Sequence, residues 1–306
     1  MLKNTSVVSI TDIGNDDLFE LFKLADSYSK ALEQGKKFDI LKGNIMATFF
    51  YEPSTRTRLS FESSMQRLGG SVISVSEAKN SSVAKGETLA DTVRMAASYS
   101  DIIVIRHPMD GAARLAKRFS SKPVINAGDG SGQHPTQTLL DLYTIRKELS
   151  GIDGKEITML GDLRYGRTVH SLIMALSNFD VRINLVSPPL LRVPQHILEM
   201  ASSKVKIRIT ENLNEVLKET DVLYVTRIQK ERFTDESEYN SVIGSYIVNP
   251  EIVSGMKKQS IIMHPLPRVN EISPDVDGDP RAAYFREAAN GIPVRMALLS
   301  MILEGR

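Results

Sequence analysis

Short apolar runs alternate along this chain with stretches whose apolar residues recur at helical spacing. Runs over 45–51, 71–75, 101–106 and 124–127 predict strands. Residues 88–99 and 111–119 predict amphipathic helices between them, and 136–149 a long helix after the fourth strand. A second series over 156–160, 182–186, 206–209, 222–225 and 260–263 predicts further strands, with helices at 169–179, 194–201 and 214–219. A last helical pattern covers 282–304. Strands alternating with helices argue for an α/β protein with parallel sheets covered on both faces. Two series argue for two such domains, with a seam at 149–154, Leu-Ser-Gly-Ile-Asp-Gly. No solenoid-period repeat or low-complexity tract interrupts them.

Ligands of open α/β sheets bind beyond the carboxyl ends of strands. The first strand runs into Ser54, Thr55, Arg56, Thr57 and Arg58, directly before Phe61, Met65 and Leu68 at helical spacing. The cluster therefore sits on a helix N-terminus, where free N–H groups and the helix dipole favour an anion. Capping needs a single hydroxyl; three hydroxyls with arginine suggest a phosphate site. The second strand is followed by a polar loop holding Ser81, Ser82 and Lys85, the third ends in Arg106-His107-Pro108, and the fourth leads to His134 and Gln137. His134 and Gln137 face one ligand if they lie in the first turn of a helix. Taken singly, Lys85 reads as a solvated loop lysine and His134 as a cap. Their joint placement is what points to one crevice.

In the second series, Gly161 to Thr168 reads G-D-L-R-Y-G-R-T. This misses a P-loop by its lysine, and no strand ends in a Walker-B-like aspartate. It is not G-x-G-x-x-G either, and the next strand ends in Ser187-Pro188 rather than an acid, which argues against a dinucleotide site. Arg167 at a helix N-terminus suits a carboxylate instead. Arg227 and Gln229 would form a second anion grip, pointing the same way if the strand continues through them; the plain alternative is a solvated loop. His264-Pro265-Leu266-Pro267 forms a rigid turn whose carbonyls suit an amino or amide group.

Composition narrows the function further. The 306 residues contain 38 Lys+Arg against 37 Asp+Glu, so there is no basic excess for nucleic acid. Cysteine is absent, which removes disulfides and thiolate metal sites. The five histidines show no zinc-binding spacing, so a zinc site is not expected. The N-terminus opens no apolar signal segment and no run is long enough to span a bilayer, so a soluble cytoplasmic protein is the default.

Ser54-Thr55-Arg56-Thr57-Arg58 and His134-Pro135-Thr136-Gln137 resemble the paired signatures of the carbamoyltransferase family, and the resemblance covers essentially the whole chain. Three features look like its aspartate branch rather than its ornithine branch: residues 85–92 (K-G-E-T-L-A-D-T), residues 227–232 (R-I-Q-K-E-R) and His264-Pro265-Leu266-Pro267-Arg268. Ornithine enzymes typically carry a Cys-Leu-Pro turn, and this chain has no cysteine.

The resemblance implies two doubly wound parallel-sheet domains with an active-site cleft between them. Residues 1–148 would bind carbamoyl phosphate and 149–286 aspartate, with a C-terminal helix, 287–306, returning to the first domain. It implies transfer of the carbamoyl group to the α-amine of L-aspartate, a step of pyrimidine biosynthesis, without metal or covalent intermediate. Ser54, Thr55, Arg56 and Thr57 would hold the phosphate; Thr57, Arg106 and His134 the carbonyl oxygen; Gln137, Pro265 and Leu266 the carbamoyl amide. Lys85, Arg167, Thr168, Arg227 and Gln229 would hold aspartate. Arg56, Thr57, Lys85, Arg106 and His134 would be the catalytic set. A homotrimer is implied, with Ser82 (or Ser81) and Lys85 entering a neighbouring subunit's site. The stretch 106–115 resembles relatives that join a zinc-containing regulatory chain in a larger allosteric assembly. The rival readings are carbamoyl transfer to ornithine or another amine, and a silent homologue; retention of the phosphate cluster argues against silence.

Overall fold

The computed structural model describes residues 2–75, 86–202 and 205–305. Ser81, Ser82 and Lys85 lie outside the described residues. The chain divides into two compact units, Met1–Leu140 with Asn290–Arg306, and Asp141–Ala289.

The first unit holds strands β1 (Ile45–Phe50), β2 (Ser71–Val75), β3 (Ile102–His107) and β4 (Val124–Asp129), all parallel, in the order β2-β1-β3-β4. Helices α1 (Asn15–Glu33), α2 (Thr55–Arg67), α3 (Leu89–Tyr99) and α4 (Ala112–Phe119) belong to it. Every residue of β4 is buried, whereas the edge strand β2 has no buried residue. A parallel sheet is covered on both faces, so its inner strands read as unbroken apolar runs. Ala47, Ile103, Ile105 and Val124 pack under Val93, Ala96 and Ala97 of α3 and Ala113 and Ala116 of α4. The small alanines let these helices lie close on the sheet. The C-terminal part of the last helix joins this unit, as the fold class anticipates. The long helix α1 was not anticipated; its buried Leu18, Leu21, Phe22 and Ala25 recur at helical spacing.

The second unit holds β5 (Glu156–Leu160), β6 (Arg182–Val186), β7 (Lys206–Thr210), β8 (Val222–Val225) and β9 (Ile261–Met263), again all parallel, in the order β7-β6-β5-β8-β9. Helix α5 (Pro135–Leu149) brings the chain into this unit, and α10 (Tyr284–Leu303) takes it out. Between them lie α6 (Arg167–Leu176), α7 (Gln195–Ser202), α8 (Glu236–Val242) and α9 (Pro250–Ser254). Leu160, Val186, Leu223, Val225 and Ile262 form a core with Leu213, Val216, Leu217 and Tyr284.

The helix expected at 214–219 does not form. A 3-10 turn over Leu213–Glu215 stands there instead, capped by the Asn212 side chain on the Asn214 N–H. So short a segment gains too little to offset helix nucleation. Val216 and Leu217 are still buried, so the apolar positions were read correctly and their period was not.

Candidate active site

In both sheets strand order reverses at one point: between β1 and β3 in the first, between β5 and β8 in the second. Open α/β sheets bind ligands at such switch points. The hydroxyl–arginine cluster follows β1 and Arg106 ends β3, so the two flank the first switch point. Arg167 follows β5 and Arg227 follows β8, so they flank the second.

At the first switch point Ser54 occupies the cap position of α2, yet its side chain makes no capping bond. Thr57 is buried in the first turn, while Thr55 and Arg56 are exposed. Arg58 turns away toward Glu62, 3.9 Å along the helix. Arg106 reaches across the strand ends. It stands opposite Phe50 in the β1–β3 register, donates through Nη2 to Glu52 Oε1 at 2.6 Å, and through Nη1 to the Ala127 carbonyl at 3.3 Å. Three neighbouring strand ends therefore orient one guanidinium. Its neighbour His107 packs edge-on against Tyr51, with 5.5 Å between ring centres, and burial holds its pKa below the usual value. His107 belongs to the packing around the cluster.

His134 and Gln137 are both buried at the start of α5, and the Gln137 N–H donates to the His134 carbonyl at 3.1 Å. A polar knot holds the loop that delivers them. Asn126 Nδ2 donates to Asp129 Oδ1 at 2.8 Å, and the same oxygen accepts the Gln133 N–H at 3.2 Å. Asp129 Oδ2 takes the Gly111 N–H at 3.0 Å, and Asp110 Oδ1 the Ser131 N–H at 2.6 Å.

At the second switch point Gly161 is in the left-handed region, φ 113°, where its missing side chain lets the chain pass Thr226. The Thr226 N–H and hydroxyl both donate to the Leu160 carbonyl, at 2.8 and 3.0 Å. Asp162, fully buried, accepts the Arg164 and Tyr165 N–H groups at 3.2 and 2.9 Å, and that of Gln229 as well. Burial pushes the Asp162 pKa up, against these donors and the Arg232 charge. The carboxylate thus ties the Arg167 loop to the Arg227 loop. Arg167 and Thr168 open α6, and Arg167, Thr168, Arg227 and Gln229 are all half-buried.

Strand β8 stops at Val225, so strand alternation does not orient Arg227 and Gln229. The Asp162 contacts and a 3-10 turn over Lys230–Arg232 hold that segment instead. The turn at Pro265 and Leu266 is anchored from beneath: the His264 N–H donates to Glu287 Oε2 at 2.8 Å, and Leu266 adopts φ 49°.

Sequence reasoning passed over Glu52, Asp129 and Asp162. Glu52 and Asp162 each lie at a strand end beside an arginine cluster. A carboxylate that close to several cations is the signal that would have singled them out.

Residues 5–147 match the family described as aspartate/ornithine carbamoyltransferase, carbamoyl-P binding domain, and residues 153–302 its Asp/Orn binding domain. The chain belongs to the aspartate/ornithine carbamoyltransferase family. Within it, the chain is 69% identical over 303 residues to the aspartate carbamoyltransferase catalytic subunit of Thermoplasma volcanium, covering 99% of each chain. Its counterpart in Thermoplasma acidophilum is 67% identical with the same coverage. The catalytic subunit of M. jannaschii aspartate transcarbamoylase superposes with a TM-score of 0.91 at 54% identity, covering 99% of each chain. The Trypanosoma cruzi enzyme in complex with carbamoyl phosphate and aspartate superposes with a TM-score of 0.95 at 43% identity, covering 99% of this chain and 98% of that one. Among the described residues, no helix is long and apolar enough to cross a membrane.

Proposed function

We propose that this chain transfers the carbamoyl group of carbamoyl phosphate to the α-amine of L-aspartate, giving N-carbamoyl-L-aspartate and phosphate. The observation that carries this reading is the pair of switch points, one flanked by the hydroxyl–arginine cluster and Arg106, the other by Arg167 and Arg227. A phosphate donor and a dicarboxylate acceptor call for that division. The T. cruzi relative binds carbamoyl phosphate with aspartate in one structure and N-(phosphonacetyl)-L-aspartic acid in another, in agreement with it.

Ser54, Thr55, Arg56 and Thr57 hold the phosphate on the N-terminus of α2. The amine attacks the carbamoyl carbon, a carbon–nitrogen bond forms, and the carbonyl oxygen becomes anionic. Thr57, Arg106 and His134 donate to that oxygen; each donor of this kind contributes about 3 kcal/mol of transition-state stabilisation. Gln137 and the carbonyls of Pro265 and Leu266 hold the carbamoyl amide. Arg167, Thr168, Arg227 and Gln229 hold the two aspartate carboxylates, where a guanidinium binds two oxygens at once. The carbon–oxygen bond then breaks, and the departing phosphate takes the proton from the amine. Holding both reactants lowers the entropic barrier.

Ser82 and Lys85 complete the site of a neighbouring subunit in a homotrimer, Lys85 toward aspartate. A zinc-containing regulatory chain docking on the 106–115 stretch would extend the trimer into an allosteric assembly. The reaction belongs to pyrimidine biosynthesis in the cytoplasm.

The test is product formation from carbamoyl phosphate with L-aspartate or L-ornithine, read as the ureido compound. Product with aspartate alone is expected. Product with ornithine alone would overturn the assignment of Arg167, Arg227 and Gln229.

A further inference from the structure

Two acids meet in the interior of the second unit. Asp141 lies on α5 and Glu287 on α10, and both side chains are fully buried. Their carboxyl groups interact directly. Two ionised carboxylates set against each other in a dry interior repel and lose their hydration, which favours a proton on one of the pair. Each acid also grips a piece of the proposed site. Glu287 Oε2 accepts the main-chain N–H of His264 at 2.8 Å, at the root of the Pro265–Leu266 turn. Asp141 Oδ2 accepts the Tyr224 hydroxyl at 3.0 Å. Tyr224 is fully buried and bonds the Thr168 hydroxyl in the first turn of α6.

We propose that Asp141 and Glu287 share a single proton and act as a positioning pair, Glu287 holding the turn that cradles the carbamoyl amide and Asp141, through Tyr224, the helix start that binds aspartate. The proposal rests on the function proposed above. Neither acid touches a reactant; each acts through a neighbour. The shared proton lets both carboxyls stay bonded in an interior that would expel two charges. Burial, reinforced by the Asp141 charge, lifts Glu287 well above the usual carboxylate range, in keeping with a proton held at neutral pH. The wild-type pair and either single amide variant carry the same net charge, so an amide should substitute for one acid.

The test combines infrared spectra with kinetics on the full chain. At neutral pH the wild type should show the C=O stretch of a protonated carboxylic acid, and the Asp141→Asn, Glu287→Gln double variant should lack it. Glu287→Gln should retain activity within a fewfold of wild type. Glu287→Ala should raise the KM for carbamoyl phosphate by about tenfold, the scale of one lost charge-assisted bond. Tyr224→Phe should raise the KM for aspartate and leave that for carbamoyl phosphate unchanged. Absence of the acid band from the wild type, or Glu287→Gln falling as far as Glu287→Ala, would overturn the pair. Should Glu287→Ala fail to fold, the spectra and Tyr224→Phe decide. A wild-type protein that makes no product from aspartate would refute the function and leave the infrared result to stand alone.

Discussion

The main-chain N–H of Leu266 donates to Nδ1 of His264 at 2.8 Å. That bond requires an unprotonated Nδ1, so the ring proton lies on Nε2, which meets Glu271 Oε1 at 2.7 Å. Glu271 also takes the N–H groups of Val269 and Asn270. Burial works to raise the Glu271 pKa, but the His264 bond and the main-chain donors outweigh it and leave it lowered. A lowered carboxylate contributes stability that is complete above the unfolded pKa and is lost as pH falls through the folded one. Wild type should therefore lose stability on acidification below the usual carboxylate range. Glu271→Gln should show a flatter acid profile and be about 1–3 kcal/mol less stable at neutral pH. Urea unfolding at neutral and acid pH checks both; equal slopes in the two proteins would refute the assignment.

Arg106 is oriented by Glu52 and by the Ala127 carbonyl. Lysine cannot reproduce a guanidinium held from two sides. Arg106→Lys should fold and should lower kcat by a factor on the order of 10²–10³. Steady-state rates, with circular dichroism as the folding control, settle it.

A side chain at Gly161 would place its Cβ 2.4 Å from the Thr226 carbonyl oxygen. Gly161→Ala should push apart the loops that carry Arg167 and Arg227. A loss of roughly 1–3 kcal/mol and a higher KM for aspartate are expected. Thermal unfolding and aspartate saturation curves would show them, and an unchanged melting temperature would contradict the close approach.

Glu156 is buried and accepts from Arg182 Nε at 2.5 Å and from Asn184 Nδ2 at 2.9 Å. Arg182 is 64% exposed, so its charge is hydrated once Glu156 is removed. The buried Asn184 amide is the group left short of an acceptor. Glu156→Ala should thus cost about 1–3 kcal/mol, the penalty for a stranded polar group, rather than that for a stranded charge. Denaturant unfolding measures it.

Arg56→Ala and Lys85→Ala chains should each be nearly inactive. If Lys85 serves a neighbour's site, trimers mixed from the two should regain activity, because one site then receives both native residues. Mixing that restores nothing would sink the shared site.

Much of the fold is legible in the chain. The runs at 156–160, 182–186 and 222–225 are strands with those bounds, because a buried parallel strand is a short apolar run between polar turns. The 214–219 segment misled because its apolar residues are buried without a helix beneath them. The hydroxyl–arginine cluster was visible because its residues are adjacent in sequence. Glu52 was not, because its partner Arg106 stands 54 residues away. The Asp141–Glu287 pair was hidden for the same reason.

Local chemistry is written in the order of residues. Ser54-Thr55-Arg56-Thr57 follows a strand and starts a helix whatever lies beside it, so the placing of these residues on a helix N-terminus and the α/β class follow from the chain alone. Strand order is different. Parallel strands pair through main-chain bonds that every apolar run offers alike, so the chain does not say which run lies next to which. Folding placed β1 against β3 and β5 against β8. That pairing made switch points out of separate polar loops, and it brought Glu52, Asp162 and Glu287 to the groups they hold.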